Sequence, residues 1–520
     1  MKHLGLLINE LNPTSLGLLF SGFLLVFLAI ITIGRKKNWS ISILFVASIC
    51  LGFGFALIDP FFHIWDEQYH ALVAKNLLAN PLEPRLFLHS PLNTDYTDWT
   101  RNEVWLHKQP LSLWQIALSI GIFGKSVLAV RIPSILFHAL LVFPIYRMGK
   151  LVYNQKSGII AAIIFTLLNY PLELAAGVFT ADHVDVSFLF YITLSGWAWF
   201  EYQDSKSKKW LVLIGVFSGF AVLTKWLVGL LVYAGFGLVT LLYDFRKKNM
   251  LDLFSALLIT VLIAAPWQLN CWINFPSEFA HEMAYNSKHL FEVIEDHGGD
   301  WRFYWDNISL IYKSGLIIQL VIVLSLISLI FSSVNLRHKL FLLTTIFFPY
   351  LFFSIAATKM DSFLVIVIPL VTVVVVGETS KLSNLISLFV RSAKLKTIAR
   401  TVFLVYISFV LINPKKIVQN HLFAEDFDPT HRLQRIAINE FISTYAFPEN
   451  EKVALFNADM QLRKNIVWMF YKDIAAYNHR LYGEDKWKLL DDGYTIYIVK
   501  ELEGSETTKY LVEKHPVHNE

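Results

Sequence analysis

The sequence predicts a polytopic α-helical membrane protein with a small C-terminal α/β domain. Three observations predict it. Apolar runs of about 16 to 22 residues recur with charges between them, a length that suits a hydrocarbon core of roughly 30 Å. Hydrophobic residues make up 55% of the 520 and charged ones only 17%, with a mean hydropathy of +0.49, too little polar surface for a soluble chain of this length. From about residue 413 the composition changes to charged sequence with no apolar span. The 15 tryptophans and 42 phenylalanines suit lipid-facing surface and interfacial belts.

About twelve spans are expected, near 15–34, 40–58, 128–147, 157–172, 184–200, 210–223, 226–243, 251–267, 315–332, 340–356, 362–377 and 399–413. The first is followed by Arg35, Lys36 and Lys37, which suits a retained span rather than a cleaved signal. One set of loops is basic, holding residues 35–37, Arg147, Lys150, Lys156, Lys206, Arg246, Arg337 and Lys394, and the positive-inside rule makes it cytoplasmic. The alternate loops hold Asp66, Glu67, Lys108, Asp182, Asp185, Lys225, His281, His297 and Lys359. A crossing at Leu111–Phe123 would move every later basic loop outside, so that run is expected to lie as an interfacial helix on the outer surface. Trp65–Leu78 is read the same way, with Trp65, Tyr69, Leu72, Val73 and Leu77 near one face and Lys75 and Asn76 off it. The tail, 414–520, reads as a soluble extracytoplasmic α/β domain. Its strands are expected at Lys452–Phe456 and Tyr494–Val499, and its helices at Leu433–Tyr445 and Ile466–Tyr471. Cys50 and Cys271 both fall at or inside apolar segments, which argues against a disulfide.

The outer loops carry the chemistry-bearing residues. Asp66 and Glu67 are adjacent carboxylates where the chain leaves the bilayer, a costly place for charge that tends to mark function. Asp66 suits a helix N-cap. It also suits a general base, if desolvation raises its pKa. Lys108 suits either a snorkelling anchor or a phosphate ligand. Its neighbour His107 suits an interfacial polar residue or a metal ligand. Asp182, His183 and Asp185 open a span, where acids complement the helix dipole. Three ionisable groups there exceed what capping needs and could orient a lysine or bind a divalent cation. Lys225 and Lys359 add cations on the same side, as Arg131 does, an arrangement suited to an anionic lipid headgroup. No P-loop, dinucleotide fingerprint or His-Glu-x-x-His motif occurs.

Taken in order, these elements resemble a known family. Asp66 and Glu67 precede a surface helix. Lys108, Gln109, Pro110, Leu111 and Trp114 follow, then Phe123 and Gly124, then Ala129, Val130, Arg131, Ile132, Pro133 and Ser134. The Asp182 loop, Thr224 with Lys225, His297 with Gly298 before Trp301 and Trp305, and Thr358 with Lys359 complete the order. Residues 50 to 375 or so resemble the polyprenyl-phosphate-sugar glycosyltransferases of the GT-C fold, in the group of the aminoarabinose (lipid A) transferases and protein O-mannosyltransferases. The resemblance implies inverting transfer of a sugar from a polyprenyl phosphate to a hydroxyl or phosphate of a lipid, glycan or protein acceptor. It implies Asp66 as general base or acceptor-orienting carboxylate, with Glu67 its neighbour. Lys108, Lys359, Lys225 and, less centrally, Arg131 would hold the donor phosphate. Asp182 and Tyr69 would contact substrate, and His107 and His297 would hold a divalent metal. The chain departs from the family where Gln109 replaces the first of two prolines and His107 an acidic residue. A bacterial inner membrane is expected, with the site facing outward and no nucleic-acid partner. The competing reading is a lipid or ion transporter, which predicts ionisable residues near mid-span.

Overall fold

The computed structural model describes residues 11–33, 37–88, 90–178, 183–308, 316–386, 432–460, 463–502 and 509–516, with isolated positions between 392 and 421. Its helices run in order: α1 Pro13–Thr32, α2 Lys37–Ala56, α3 Asp66–Leu77, α4 Pro110–Phe123, α5 Val127–Leu140, α6 Val142–Val152, α7 Gln155–Thr166, α8 Asn169–Ala175, α9 His183–Ser205, α10 Lys208–Lys225, α11 Leu231–Leu242, α12 Lys247–Asn274, α13 Pro276–Lys288, α14 Phe303–Asp306, α15 Leu316–Phe331, α16 Leu336–Ile355 and α17 Ile368–Ile386. Short 3-10 turns at Trp226–Leu230 and Asp361–Val367 lead into α11 and α17.

Among the described residues seven helices are long and apolar enough to cross a membrane, or eight if the bent pair α7 and α8 is one span. The reasons this falls short of twelve are physical. The stretch at 399–413 lies outside the described residues, and α15 has only 16 residues. Helix α9 is long enough at 23 residues, but it is buried almost throughout by protein and so needs no apolar surface for lipid. The stretch Lys208–Leu242, one of the seven, reverses at Trp226, where φ is 58°. The Ser218 hydroxyl donates to the Gly229 carbonyl at 2.7 Å, a contact that about 16 Å of continuous helix would forbid. Lipid-facing surface is clearest on α12, where Leu251, Phe254, Leu258, Leu262 and Ile273 are exposed. Cys50 and Cys271 are free.

The tail folds as α18 Arg432–Thr444, β1 Lys452–Phe456, α19 Lys464–Lys472, β2 Ala475–Ala476, α20 Gly483–Asp491, β3 Tyr494–Leu502 and β4 Lys509–Lys514. The sheet order is β2-β1-β3-β4. Strand β1 pairs in parallel with β2 and β3, and β4 closes the edge antiparallel to β3. The expected strands and helices of this unit agree with those found. The boundary at 413/414 falls outside the described residues.

The structure corrects the reading of α3. It is not an exposed surface helix: Glu67 to Leu77 are all buried, sandwiched between the tail and α4. Lys75, expected off the apolar face, donates to the Met469 carbonyl at 2.7 Å and pairs with Asp473 at 2.6 Å. The Asn76 amide donates to the carbonyls of Arg85 and Leu86. One apolar core runs through both parts, joining Phe62, Tyr69, Leu72 and Trp105 to Ile438, Trp468 and Phe470. Helix α4 keeps an apolar outer face, with Leu118, Ile122 and Phe123 exposed, as an interfacial helix requires.

A buried charge knot also ties the tail down. Asp59, just past α2, pairs with His421 and Arg432, and His421 reaches Glu173 on α8. Burial alone would lower the His421 pKa, but Asp59 and then Glu173 outweigh it and push it up to about 9. A raised folded-state pKa stabilises fully below the ordinary value of 6.5, and that stability is lost as pH rises through about 9. The unfolding temperature of the purified protein should therefore fall between pH 6.5 and 9, and His421→Gln should flatten that fall; an unchanged slope in the variant would remove His421 as its source.

Candidate active site

The site forms where α3, the segment before α4, and the ends of α9 and α10 meet. Chain geometry at its centre is strained. Trp65, the N-cap of α3, has φ 64° and ψ −123° and makes no side-chain cap bond. A bulky residue at positive φ costs about 1–3 kcal/mol and persists only where its surroundings hold it. Trp226, which follows Lys225, is strained in the same way at φ 58°. Two such residues therefore flank two candidate site residues.

The Asp66 carboxylate lies 3.6 Å from the Lys108 ammonium, with the two side chains 19% and 26% exposed. Pro110 at the first turn of α4 sets the chain direction that presents Lys108, and the Gln109 amide oxygen accepts from Gln268 on α12 at 2.7 Å. Burial pushes the Asp66 carboxyl up, but Lys108, His70, His107 and Lys225 together outweigh it and hold the pKa below its ordinary value. This corrects the expectation that desolvation would raise it. Asp66 is an ionised, weakly basic carboxylate beside the Lys108 ammonium.

Lys225 pairs with Asp185 at the start of α9 and lies 5.1 Å from the Phe363 ring. The acidic loop thus orients a lysine, one of the two roles the sequence suggested. Lys359, four residues before Phe363, is buried. Its ammonium donates to the Ala356 carbonyl, and its amide donates to the His297 carbonyl at 2.8 Å. Asp66 and Lys108 are paired, with Lys225 near enough to act on the Asp66 carboxyl; Lys359 belongs to the adjoining segment, through Phe363.

Three expected site residues, Arg131 for the phosphate, Glu67 for catalysis and Tyr69 for substrate, are committed elsewhere. Arg131 is fully buried, and its five N–H groups are spent: two on Glu67, at 2.7 and 3.1 Å, and three on the carbonyls of Ala56, Asp59 and Phe61. None is left for a phosphate. Glu67 is equally committed, accepting also from the His63 amide at 2.7 Å and facing His183 at 3.4 Å. Burial raises the Glu67 pKa, but Arg131 and then His183 bring it down to about 2. Gly177, at φ 77°, lets the chain pass this pair; a Cβ there would lie 2.4 Å from a Glu67 oxygen. Tyr69 is buried between Trp99 and Trp105 and donates to the Thr100 carbonyl at 3.4 Å, so it is a core residue rather than a substrate contact.

The His107 ring stacks on Trp99 at 4.5 Å and 5°, with Nδ1 3.5 Å from a Glu282 oxygen on α13. Among the described residues no group of three or more His, Cys, Asp or Glu side chains is placed to hold a metal. The donor set for His107 and His297 as metal ligands is therefore incomplete there, and no step is assigned to a metal. Asp182 lies outside the described residues. Sequence reasoning missed Glu282, Arg463, and the knot of Asp59, Glu173, His421 and Arg432. Their partners lie tens to hundreds of residues away, and no local pattern marks them.

Known proteins resemble this chain in part of its sequence and in its fold. Residues 107–269 match the family model described as dolichyl-phosphate-mannose-protein mannosyltransferase. The chain is 24% identical over 249 residues to the undecaprenyl phosphate-alpha-4-amino-4-deoxy-L-arabinose arabinosyl transferase of Pseudomonas paraeruginosa, covering 45% of this chain and 40% of that one. It is 29% identical over 226 residues to an uncharacterized protein of Aquifex aeolicus, covering 42% and 41%. The matched stretch thus spans about two fifths of these curated relatives. The fold agrees over more of the chain. It is similar to ArnT from Cupriavidus metallidurans bound to undecaprenyl phosphate, at TM-score 0.64 and 13% identity, covering 92% of this chain and 98% of that one. It is also similar to the Archaeoglobus fulgidus oligosaccharyltransferase, at TM-score 0.55 and 11% identity, covering 90% and 69%.

Proposed function

We propose that this multi-pass membrane protein of the GT-C fold is an inverting glycosyltransferase. It moves a sugar from a polyprenyl phosphate to a hydroxyl or phosphate of a lipid, glycan or protein acceptor, at the extracytoplasmic face of a bacterial inner membrane. The observation that carries the reading is the half-buried pair of Asp66 and Lys108 at 3.6 Å, with Lys225 acting on the same carboxyl. The basic loops at the opposite end support the orientation.

The acceptor oxygen attacks the anomeric carbon as the bond from that carbon to the phosphate oxygen breaks. The electron pair leaves with the phosphate, and configuration inverts. An acceptor hydroxyl hydrogen-bonds to ionised Asp66 and passes its proton there as positive charge builds on the attacking oxygen. Held below its ordinary pKa, Asp66 takes this proton late and chiefly orients the acceptor. The cations stabilise charge developing on the leaving phosphate. A 3.6 Å contact leaves no room for a sugar ring between Asp66 and Lys108. The donor phosphate therefore draws Lys108, the more exposed of the two, away from Asp66 on entry. Lys225 and Lys359 complete the cationic side. The long isoprenoid tail stays in the bilayer throughout.

The assignment of Lys108 is tested by binding of undecaprenyl phosphate, used as the probe, to the chain in lipid nanodiscs. Losing one charge-assisted contact should weaken binding by Lys108→Gln about 10- to 100-fold. Equal affinity in the variant would remove Lys108 from the phosphate site.

A further inference from the structure

We infer that Arg463, contributed by the C-terminal unit, is a positioning residue of the transfer site: its guanidinium braces the strained Trp65 so that the next residue, Asp66, faces Lys108. The inference rests on the transferase reading above and extends the site into the tail.

The contacts converge on one short stretch. The Arg463 guanidinium lies 4.9 Å from the centre of the Trp65 ring, within the range of a cation–π attraction. The same guanidinium acts on the phenol of Tyr69, one turn along α3. With its side-chain amide oriented to satisfy both ends, Gln68 donates to the Arg463 carbonyl at 3.0 Å and accepts from the Lys464 ammonium at 3.3 Å. Arg463 is itself held in the left-handed region, φ 61°, with its amide donating to Asp459 at 2.6 Å. The first turn of α3 is thus gripped from the tail at Trp65, Gln68 and Tyr69. The Trp65 ring also neighbours Trp99, at 6.3 Å, and Trp99 stacks on His107, beside Lys108. Trp65 therefore links the brace to both segments that carry the Asp66–Lys108 pair.

The Trp65 side chain makes no cap hydrogen bond; its carbonyl accepts from the amides of Gln68 and Tyr69 at 3.0 and 3.3 Å, which anchors the carbonyl end of the residue and leaves the ring to be held by the Arg463 guanidinium and its aromatic neighbours. Without the guanidinium, Trp65 can relax toward ordinary φ, and the Asp66 carboxylate turns with it. A misplacement of about 1 Å at a reacting group is enough to slow a reaction severely.

The test uses membranes of cells lacking the native chain, whose own lipid-linked sugars serve as donor. The full-length chain or a variant is expressed to equal levels, and the initial rate of sugar-modified product is read by mass spectrometry. Arg463→Ala should lower the rate about tenfold, and Arg463→Lys, which keeps a cation over the ring, should recover most of it. If Arg463 acts through Trp65, the double variant Trp65→Ala with Arg463→Ala should be no slower than Trp65→Ala alone. Product from the wild-type chain with an undiminished rate in Arg463→Ala, or losses that multiply in the double variant, would overturn the inference and leave the transferase reading standing. If the wild-type chain forms no product beyond that of empty cells, the transferase reading fails, and this inference fails with it.

Discussion

Asp66→Asn should slow sugar transfer about a hundred- to ten-thousand-fold, the span typical of losing an acid–base or orienting carboxylate. The substitution keeps the shape of the side chain and removes the charge that aligns the acceptor. Asp66 caps no helix end, since Trp65 holds that position. Membrane insertion should therefore match the wild type, the unfolding temperature should fall only modestly through loss of the partly exposed pair with Lys108, and the main loss should appear in the initial rate of product in proteoliposomes. The pH profile follows from the same electrostatics. Lys108, His70, His107 and Lys225 hold the Asp66 pKa below 3.8, so Asp66 stays ionised above that pH. Any acid limb due to Asp66 lies lower still, and a fall in rate around neutral pH would have to come from another group.

Arg131→Met should have the opposite character: a large loss of stability, about 3–5 kcal/mol, the usual cost of stranding one member of a buried ion pair. Glu67 would be left buried and charged, and the carbonyls of Ala56, Asp59 and Phe61 would lose their donors. Unfolding temperature and protease resistance in detergent should drop together. Replacing Glu67 by Gln in the same chain should recover part of the loss, because the stranded charge is then gone. Thermal unfolding of the two variants would measure both effects; an Arg131→Met protein as stable as wild type would contradict the fully spent guanidinium.

What the sequence showed and hid follows from how each feature is encoded. Span-length apolar runs are continuous, so α1, α2 and α16 were legible near their true ends, while α12 runs past the expected 251–267 on both sides. The tail's strands and helices were legible for the same reason: Lys452–Phe456 and its neighbours carry short local patterns. The burial of α3 was not legible, because the surface that covers it, α19 with Met469 and Asp473, lies about 400 residues away. The apolar signal of a span is weakest where protein replaces lipid as the solvent. Helix α9 carries Asp185, Ser187, Thr193, Ser195 and Glu201 among its apolar residues, and all five are buried against other helices rather than in hydrocarbon.

At the site, residue types and their order pointed to Asp66 and Lys108, which the fold does pair, and to Lys225, which acts on the same carboxyl. The same logic misassigned Arg131 and Glu67. A sequence gives a cation and a carboxylate on the right side of the membrane, but not whether they have already spent their charges on each other. Tyr69 was misread for a related reason, since an aromatic ring near a site looks alike as core or as contact until its neighbours are known. The strain at Trp65 and Trp226 is a property of backbone angles that no composition records.

The central claim is that the Asp66 and Lys108 region transfers a sugar from a lipid phosphate. It is tested most directly by mass spectrometry of envelope lipids, glycans and secreted proteins, from cells carrying the wild-type chain or Asp66→Asn at equal levels in the membrane. The account predicts one acceptor class that carries a sugar-sized mass in the wild type and loses it in the variant, while the polyprenyl-phosphate sugar accumulates. Identical masses in every acceptor class, with both proteins folded, would contradict it.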